Sequence, residues 1–197
     1  MRILVISDTH GDLERFWKVF EKLNRENPVQ MIVHCGDYFE DSNAIRKSSG
    51  LPVIAVMGNC DGELSEKSYG RLETEAGDFL VCHGHMENVD LGLQSLYYKA
   101  LEANCIGALF GHTHQNTYVE VDGLYIMNPG SLPKPKDGSG GTFGIIQTSE
   151  SGVWGKIYNY KDFIVDDNDS NPSCPPNKKT KVTGGHLKSL LNHSDRF

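Results

Sequence analysis

The chain opens on Ile3-Leu4-Val5-Ile6, an unbroken apolar run, and then turns abruptly polar at Ser7-Asp8-Thr9-His10. A strand that is apolar on both alternating faces must be covered on both, as in the interior of an α/β sheet. The same phrase returns twice. Residues 30–34 lead into Gly36-Asp37, and residues 52–57 lead into Gly58-Asn59-Cys60-Asp61. Between the first two strands, Asp12 is placed to cap a helix to Asn24, with Leu13, Phe16, Trp17, Val19, Phe20 and Leu23 at helical spacing. A weaker helical pattern covers residues 42–47.

The middle of the chain predicts a hairpin of residues 69–75 and 78–82 around Ala76-Gly77, its second strand running into His83-Gly84-His85. A helix over residues 91–103 turns Leu93, Leu96, Tyr97, Ala100 and Leu101 inward, so the Tyr97-Tyr98 pair packs rather than binds bases. Residues 106–110 form a strand ending in Gly111-His112-Thr113-His114. Residues 116–121, 124–127, 142–147 and 153–158 then predict a second, mostly antiparallel sheet. The expected fold class is α/β, a four-layer α-β-β-α sandwich of two packed mixed sheets. Residues 138–144 are glycine-rich but lack the spacing of a dinucleotide loop and precede a strand, so they read as a flexible loop.

With 197 residues, 38% of them hydrophobic, the chain can bury one proper core. That core is expected within residues 1–165. Residues 166–197, with Asp166, Asp167 and Asp169 followed by Pro172, Pro175, Pro176, Lys178, Lys179 and Lys181, predict a solvated, mobile tail; residues 187–191 allow one amphipathic turn. A net charge of -7 excludes a broad basic surface for nucleic acid, so a phosphorylated substrate here needs bound cations. Five cysteines without a C-x-x-C argue against a disulfide framework and for a reducing compartment. No apolar stretch approaches a signal peptide or a membrane span, so the expected location is cytoplasmic.

The polar strand ends supply Asp8, His10, Asp37, Asn59, His83, His112 and His114. In an α/β sheet the carboxyl ends of the strands line one crevice, where ligands bind. His112 and His114, at i and i+2, aim at one region if the segment is extended. Two carboxylates, four imidazoles and a carboxamide suit borderline divalent ions such as Mn, Fe, Co, Ni or Zn rather than a cysteine-based structural zinc. Seven donors are too many for one ion; with Asp37 bridging two, each ion receives four protein ligands.

The ordered series D-x-H, G-D, G-N-x-D, H-G-H and G-H-T-H resembles the calcineurin-like metallophosphoesterases, and among them the small bacterial and archaeal phosphodiesterases of the YfcE type. The likeness continues through Asn128-Pro129-Gly130-Ser131 and covers residues 1–160. It implies one ion on Asp8, His10, Asp37 and His114 and a second on Asp37, Asn59, His83 and His112, manganese foremost. It implies hydrolysis of a small phosphodiester by in-line attack of a metal-bridging hydroxide, with Asn59 and His112 also holding the phosphate. His85 then lies beside the site without being a ligand, and Asp61 orients the Asn59 loop. One position departs from the wider superfamily: many relatives read G-N-H, with the histidine a proposed proton donor, where this chain has Cys60. A packed thiol and a catalytic one both fit that position. Phosphomonoester or nucleotide hydrolysis on the same site is the alternative chemistry, and a protein scaffold like the retromer subunit of this fold is the alternative outside chemistry. Every donor position is filled, which favours chemistry. A chain this short leaves little room for a cap domain, and it leaves a homo-oligomer open.

Overall fold

The computed structural model describes residues 1–62, 66–165 and 181–182. The elements run β1 (Arg2–Ile6), α1 (Glu14–Glu26), β2 (Met31–His34), α2 (Phe39–Ser49), β3 (Val53–Ala55), β4 (Tyr69–Leu72), β5 (Phe79–Cys82) and α3 (Gln94–Glu102). They continue with β6 (Gly107–Leu109), β7 (Asn116–Val121), β8 (Leu124–Pro129), β9 (Thr142–Ser149), β10 (Gly152–Asn159), α4 (Tyr160–Val165) and β11 (Lys181–Val182).

Two mixed sheets stack face to face. The first has the order β10-β9-β1-β2-β3, with β1, β2 and β3 parallel and Val5 opposite Val33. The second has the order β11-β7-β8-β6-β5-β4, with β5, β6 and β8 parallel, β4 antiparallel to β5, and β7 antiparallel to β8. The period of two along β1 divides its side chains as the apolar run requires. Ile3 and Val5 face the second sheet and pack with Val81, Leu109 and Met127, while Leu4 and Ile6 face Phe16, Val19, Phe20 and Leu23 of α1. Across the other sheet, Leu96 and Ala100 of α3 cover Leu80, Ala108 and Ile126. The layers are therefore α-β-β-α.

Two expectations need correction. Residues 142–147 and 153–158 do not belong to the second sheet: β9 pairs antiparallel with β1, Ile145 opposite Leu4, and β10 pairs with β9. The cause is burial. Phe143, Ile145 and Ile146 are fully buried on alternate faces of β9, and such a strand needs an interior place, which the free side of β1 provides. The second sheet is consequently mixed rather than mostly antiparallel. Helix α4 carries too short a pattern to be read from sequence; Phe163 holds it down, edge-on to Phe143 at 5.0 Å.

Helix α1 begins beside the expected cap, with Asp12 Oδ1 accepting the Glu14 N–H at 3.1 Å. Helix α2 starts earlier than its own pattern because Asp61 Oδ1, far along the chain, accepts the Phe39 N–H at 2.7 Å. Residues 187–191 and most of the expected tail lie outside the described residues; Lys181 and Val182 pair parallel with Glu120 and Val121 of β7.

The packed clusters draw on nothing described beyond Phe163. Deleting residues 166–197 should therefore change unfolding stability by no more than about 1 kcal/mol in a urea titration and leave bound metal unchanged. Loss of folding or of metal content would show that the tail belongs to the domain.

Candidate metal centre

All seven polar residues picked out at the strand ends meet at one rim. Asp8, His10, Asp37 and His114 place one ligand atom each within 4.8 Å of one another. Within that group His10 Nε2 lies 3.5 Å from Asp37 Oδ2, and His114 Nε2 lies 3.3 Å from Asp8 Oδ1. The other oxygen of Asp37, Oδ1, lies 3.3 Å from His83 Nε2. Asn59 Oδ1 completes this second group, 3.1 Å from His83 Nε2 and 3.0 Å from His112 Nδ1. Asp37 thus presents one oxygen to each half of the basin.

The protons in this basin are in the wrong place for hydrogen bonding across it. His83 Nδ1 sits 2.8 Å from Cys35 O, and His114 Nδ1 sits 2.7 Å from Lys134 O. A carbonyl only accepts, so each Nδ1 carries the hydrogen and each Nε2 turns a lone pair inward. Burial, before any charged neighbour, lowers His83 to about 4, so a second proton is absent at neutral pH. Lone pairs of His83 and His114 therefore face the oxygens of Asp37, Asn59 and Asp8. Asp8 Oδ1 is fully buried and has no hydrogen-bond partner. Burial, with the nearby Asp37 charge adding to it, raises the Asp8 carboxyl to about 7. Acceptors that face one another, with buried Asp8 Oδ1 left without a partner, fit a cation, and the imidazole–carboxylate mix fits a borderline divalent one.

The backbone is strained to make this convergence. Asp8, His10, Asp37, His112 and His114 all have positive φ, between 48° and 69°. Non-glycine residues rarely adopt that conformation, and a cluster of them marks a site held in place by its surroundings. The glycines before the ligands answer a second need. A Cβ on Gly58 would sit 2.1 Å from Asp37 Oδ1, and one on Gly111 would sit 2.7 Å from Asp8 Oδ2. Only a residue without a side chain lets these loops close on the carboxylates.

The surrounding residues fix the ligands. Asp61 receives the N–H groups of Phe39 and Gly58, at 2.7 and 2.8 Å, which ties the Asn59 loop to α2. Cys60 donates its N–H to Asp37 Oδ1 at 3.1 Å, and burial, assisted by Asp37, pushes its thiol up to about 11. His85 stacks at an angle 5.4 Å from His83, outside both groups of ligand atoms. Asp90, His34 and Asp41 carry no motif signal, and each holds part of the site. Asp90 Oδ2 holds His112 Nε2 at 2.8 Å, leaving Nδ1 to face the basin. Buried His34 accepts from Gly36 N–H and donates to Thr9 Oγ1, which donates to Asp41 at 2.6 Å. Ser131 Oγ donates to Asp8 O at 2.8 Å, which gives the N-P-G-S turn its place. The Asp8-Thr9-His10 sequence hinted only at Thr9.

Residues 1–151 match the family described as the calcineurin-like phosphoesterase superfamily domain. The chain belongs to that superfamily. Among curated relatives of this phosphoesterase domain, the probable metallophosphoesterase YsnB of Bacillus subtilis is 32% identical over 136 residues, covering 69% of this chain and 78% of YsnB. Phosphodiesterase YfcE of Escherichia coli is 27% identical over 168 residues, covering 74% and 87%. The crystal structure of a predicted phosphoesterase from Streptococcus pneumoniae superposes with a TM-score of 0.66 over 81% of this chain and 90% of that one, at 24% identity. The zinc complex of Vps29 from Entamoeba histolytica shares the fold, with a TM-score of 0.65, 18% identity, and coverage of 81% and 99%. Membership in the superfamily implies divalent metal, and the acceptor cluster is where this chain can hold it.

Because Asp8 holds a proton below about pH 7 in the metal-free protein, metal must displace it. Metal affinity should therefore fall as pH drops from 8 to 6, and binding at pH 6 should release about one proton more per chain than at pH 8. Calorimetry in buffers of different ionisation enthalpy measures this; equal proton release at both pH values would contradict the assignment of Asp8.

Proposed function

We propose that the chain is a binuclear metal-dependent phosphodiesterase acting on small diesters, with Asp37 shared between two ions. The observation that carries the reading is the division of Asp37, whose Oδ2 faces His10 and whose Oδ1 faces His83, each oxygen joining a separate group of donors. One ion would take Asp8, His10, Asp37 and His114, and the other Asp37, Asn59, His83 and His112. Two such ions would supply charge at the scissile phosphoryl group and a bound water acidic enough to give a nucleophile for in-line attack on phosphorus. Manganese heads the expected metals, with nickel, iron, cobalt and zinc compatible with the same donors.

The chain's own residues set the rest. The Nδ1–H groups of His83 and His114, held by backbone carbonyls, keep both rings oriented with Nε2 inward. Asp90 does the same for His112 from the other ring nitrogen. Asn59 Oδ1 sits between His83 Nε2 and His112 Nδ1, where the carboxamide would share a cation with both rings and stand beside a bound phosphate. The family membership supports hydrolysis, the relatives named phosphodiesterases support the diester, and the filled donor set favours chemistry over a scaffold role. The described cysteines, Cys35, Cys60, Cys82 and Cys105, are all free thiols, which supports a cytoplasmic setting. Among the described residues no helix is long and apolar enough to cross a membrane.

The leaving group is where this site is poorly equipped. With its thiol pushed up to about 11, Cys60 is a weak proton donor in the position where many relatives carry histidine.

Chelated protein should lose hydrolysis of bis-p-nitrophenyl phosphate, and Mn should restore more than Mg; full activity in metal-free protein would end the reading. Asp37→Asn should lower activity by at least about 100-fold, and Asn59→Asp by less, because the first weakens the shared ligand. Equal, small losses at unchanged metal content would count against bridging.

Aryl diesters should be cleaved much faster than methyl or ethyl diesters, and Cys60→Ser should change aryl turnover little. A flat dependence on leaving-group pKa in the wild type that steepens in Cys60→Ser would instead make the thiol the acid.

A further inference from the structure

The loop of residues 131–141 closes one side of the basin, and it is strapped rather than loose. Arg15 Nη1 donates to Leu132 O at 2.6 Å and to Gly140 O at 2.9 Å. Asp137 accepts the N–H groups of Asn116 and Ser139 at 3.0 and 2.9 Å. Ser131 Oγ bridges Asp8 O and Lys134 N. Most directly, the loop grips a candidate ligand from both sides: His114 Nδ1 donates to Lys134 O at 2.7 Å, and Lys136 N donates to His114 O at 3.0 Å. The segment that composition alone reads as a flexible glycine-rich stretch is the far end of this strapped loop.

Two lysines are therefore fixed beside His114 by their own backbones. Both side chains are exposed, and neither joins the Lys or Arg ion pairs found among the described residues. The contacts of Lys134 O and Lys136 N with His114 set both side chains within a lysine's reach of the His10–His114 side of the basin. In a chain of net charge -7, two unpaired cations held at the rim of a phosphoryl-binding basin call for an anion. The scissile diester does not fill that need: its single charge would be met by the two ions proposed on either side of Asp37. A second anionic group, carried on the substrate beyond the scissile phosphorus on the His10–His114 side, would meet it.

We propose that Lys134 and Lys136 form a subsite for a second phosphate, so that the preferred substrate is a phosphodiester bearing a phosphomonoester a few bonds from the scissile phosphorus. This rests on the phosphodiesterase reading above and narrows its substrate class. Ammonium groups carried on anchored backbones would select such a substrate without touching the reacting atoms, since a point charge needs no bidentate geometry.

The test compares two matched substrates, the p-nitrophenyl ester of thymidine 5′-phosphate and the same ester with an added 3′-phosphate, on the Mn-loaded full chain. The added phosphate should raise kcat/KM by about tenfold at low salt, mainly through KM, as expected for two partly exposed charge contacts. The advantage should shrink as ionic strength rises. In Lys134→Gln/Lys136→Gln, checked for wild-type metal content and circular dichroism, the ratio between the two substrates should fall to about one. Equal kcat/KM for both substrates in the wild type, or a ratio that survives the double substitution, overturns the subsite while leaving the phosphodiesterase intact. Failure to cleave either diester, or bis-p-nitrophenyl phosphate, overturns the phosphodiesterase reading and the subsite with it.

Discussion

The structure is organised around a set of lone pairs that point at one another. Two ring nitrogens whose hydrogens are committed to backbone carbonyls, two carboxylates and a carboxamide oxygen converge within hydrogen-bonding range with no hydrogen to share. In a partly buried basin such an arrangement is repulsive unless positive charge enters it. In the free protein a proton on Asp8 relieves part of this repulsion, the carboxyl being raised to about 7 by burial with the Asp37 charge adding to it. Divalent cations are the remedy that also accounts for the imidazoles, of which burial lowers His10, His83 and His114 and so favours their neutral, ligand form.

The fold supplies the rigidity that this repulsion demands. Five of the converging residues hold left-handed backbone conformations, each costing of order 1–3 kcal/mol by itself. They persist because the strands before them are fixed in a core that is closed on both faces, with Ile3 and Val5 against one sheet and Leu4 and Ile6 against α1. Outer partners then fix the rings. Asp90 holds His112, Lys134 O holds His114, Cys35 O holds His83, and the His34–Thr9–Asp41 chain braces the loop that carries Asp8 and His10. Sheet, strain and hydrogen bonds act in one direction, so a substitution in any of them is felt at the ligands.

Much of this was legible in the residues. Strands apolar on both faces announced a covered sheet, and the abrupt change to Asp, His or Asn at each strand end announced the rim where they meet. What stayed hidden was non-local. The place of β9 beside β1 depends on which sheet has an open interior position, and no pattern within residues 142–147 encodes that. Asp90 acts across loops that are distant in sequence from His112, and residues 138–144 look loose until Arg15 and Asp137 are seen to hold the loop before them. The glycines of G-N and G-H were visible as motif letters. Their reason, carboxylate oxygens where a Cβ would stand, required the fold.

The central claim is that Asp37 divides one basin into two cation sites. Anomalous diffraction from crystals of the full chain equilibrated with Mn tests it directly. Two peaks about 3.5–4 Å apart, one beside His10 and His114 and the other beside His83 and His112, each within bonding distance of a different Asp37 oxygen, are the predicted result. A single peak, or two peaks of which only one touches Asp37, would contradict it.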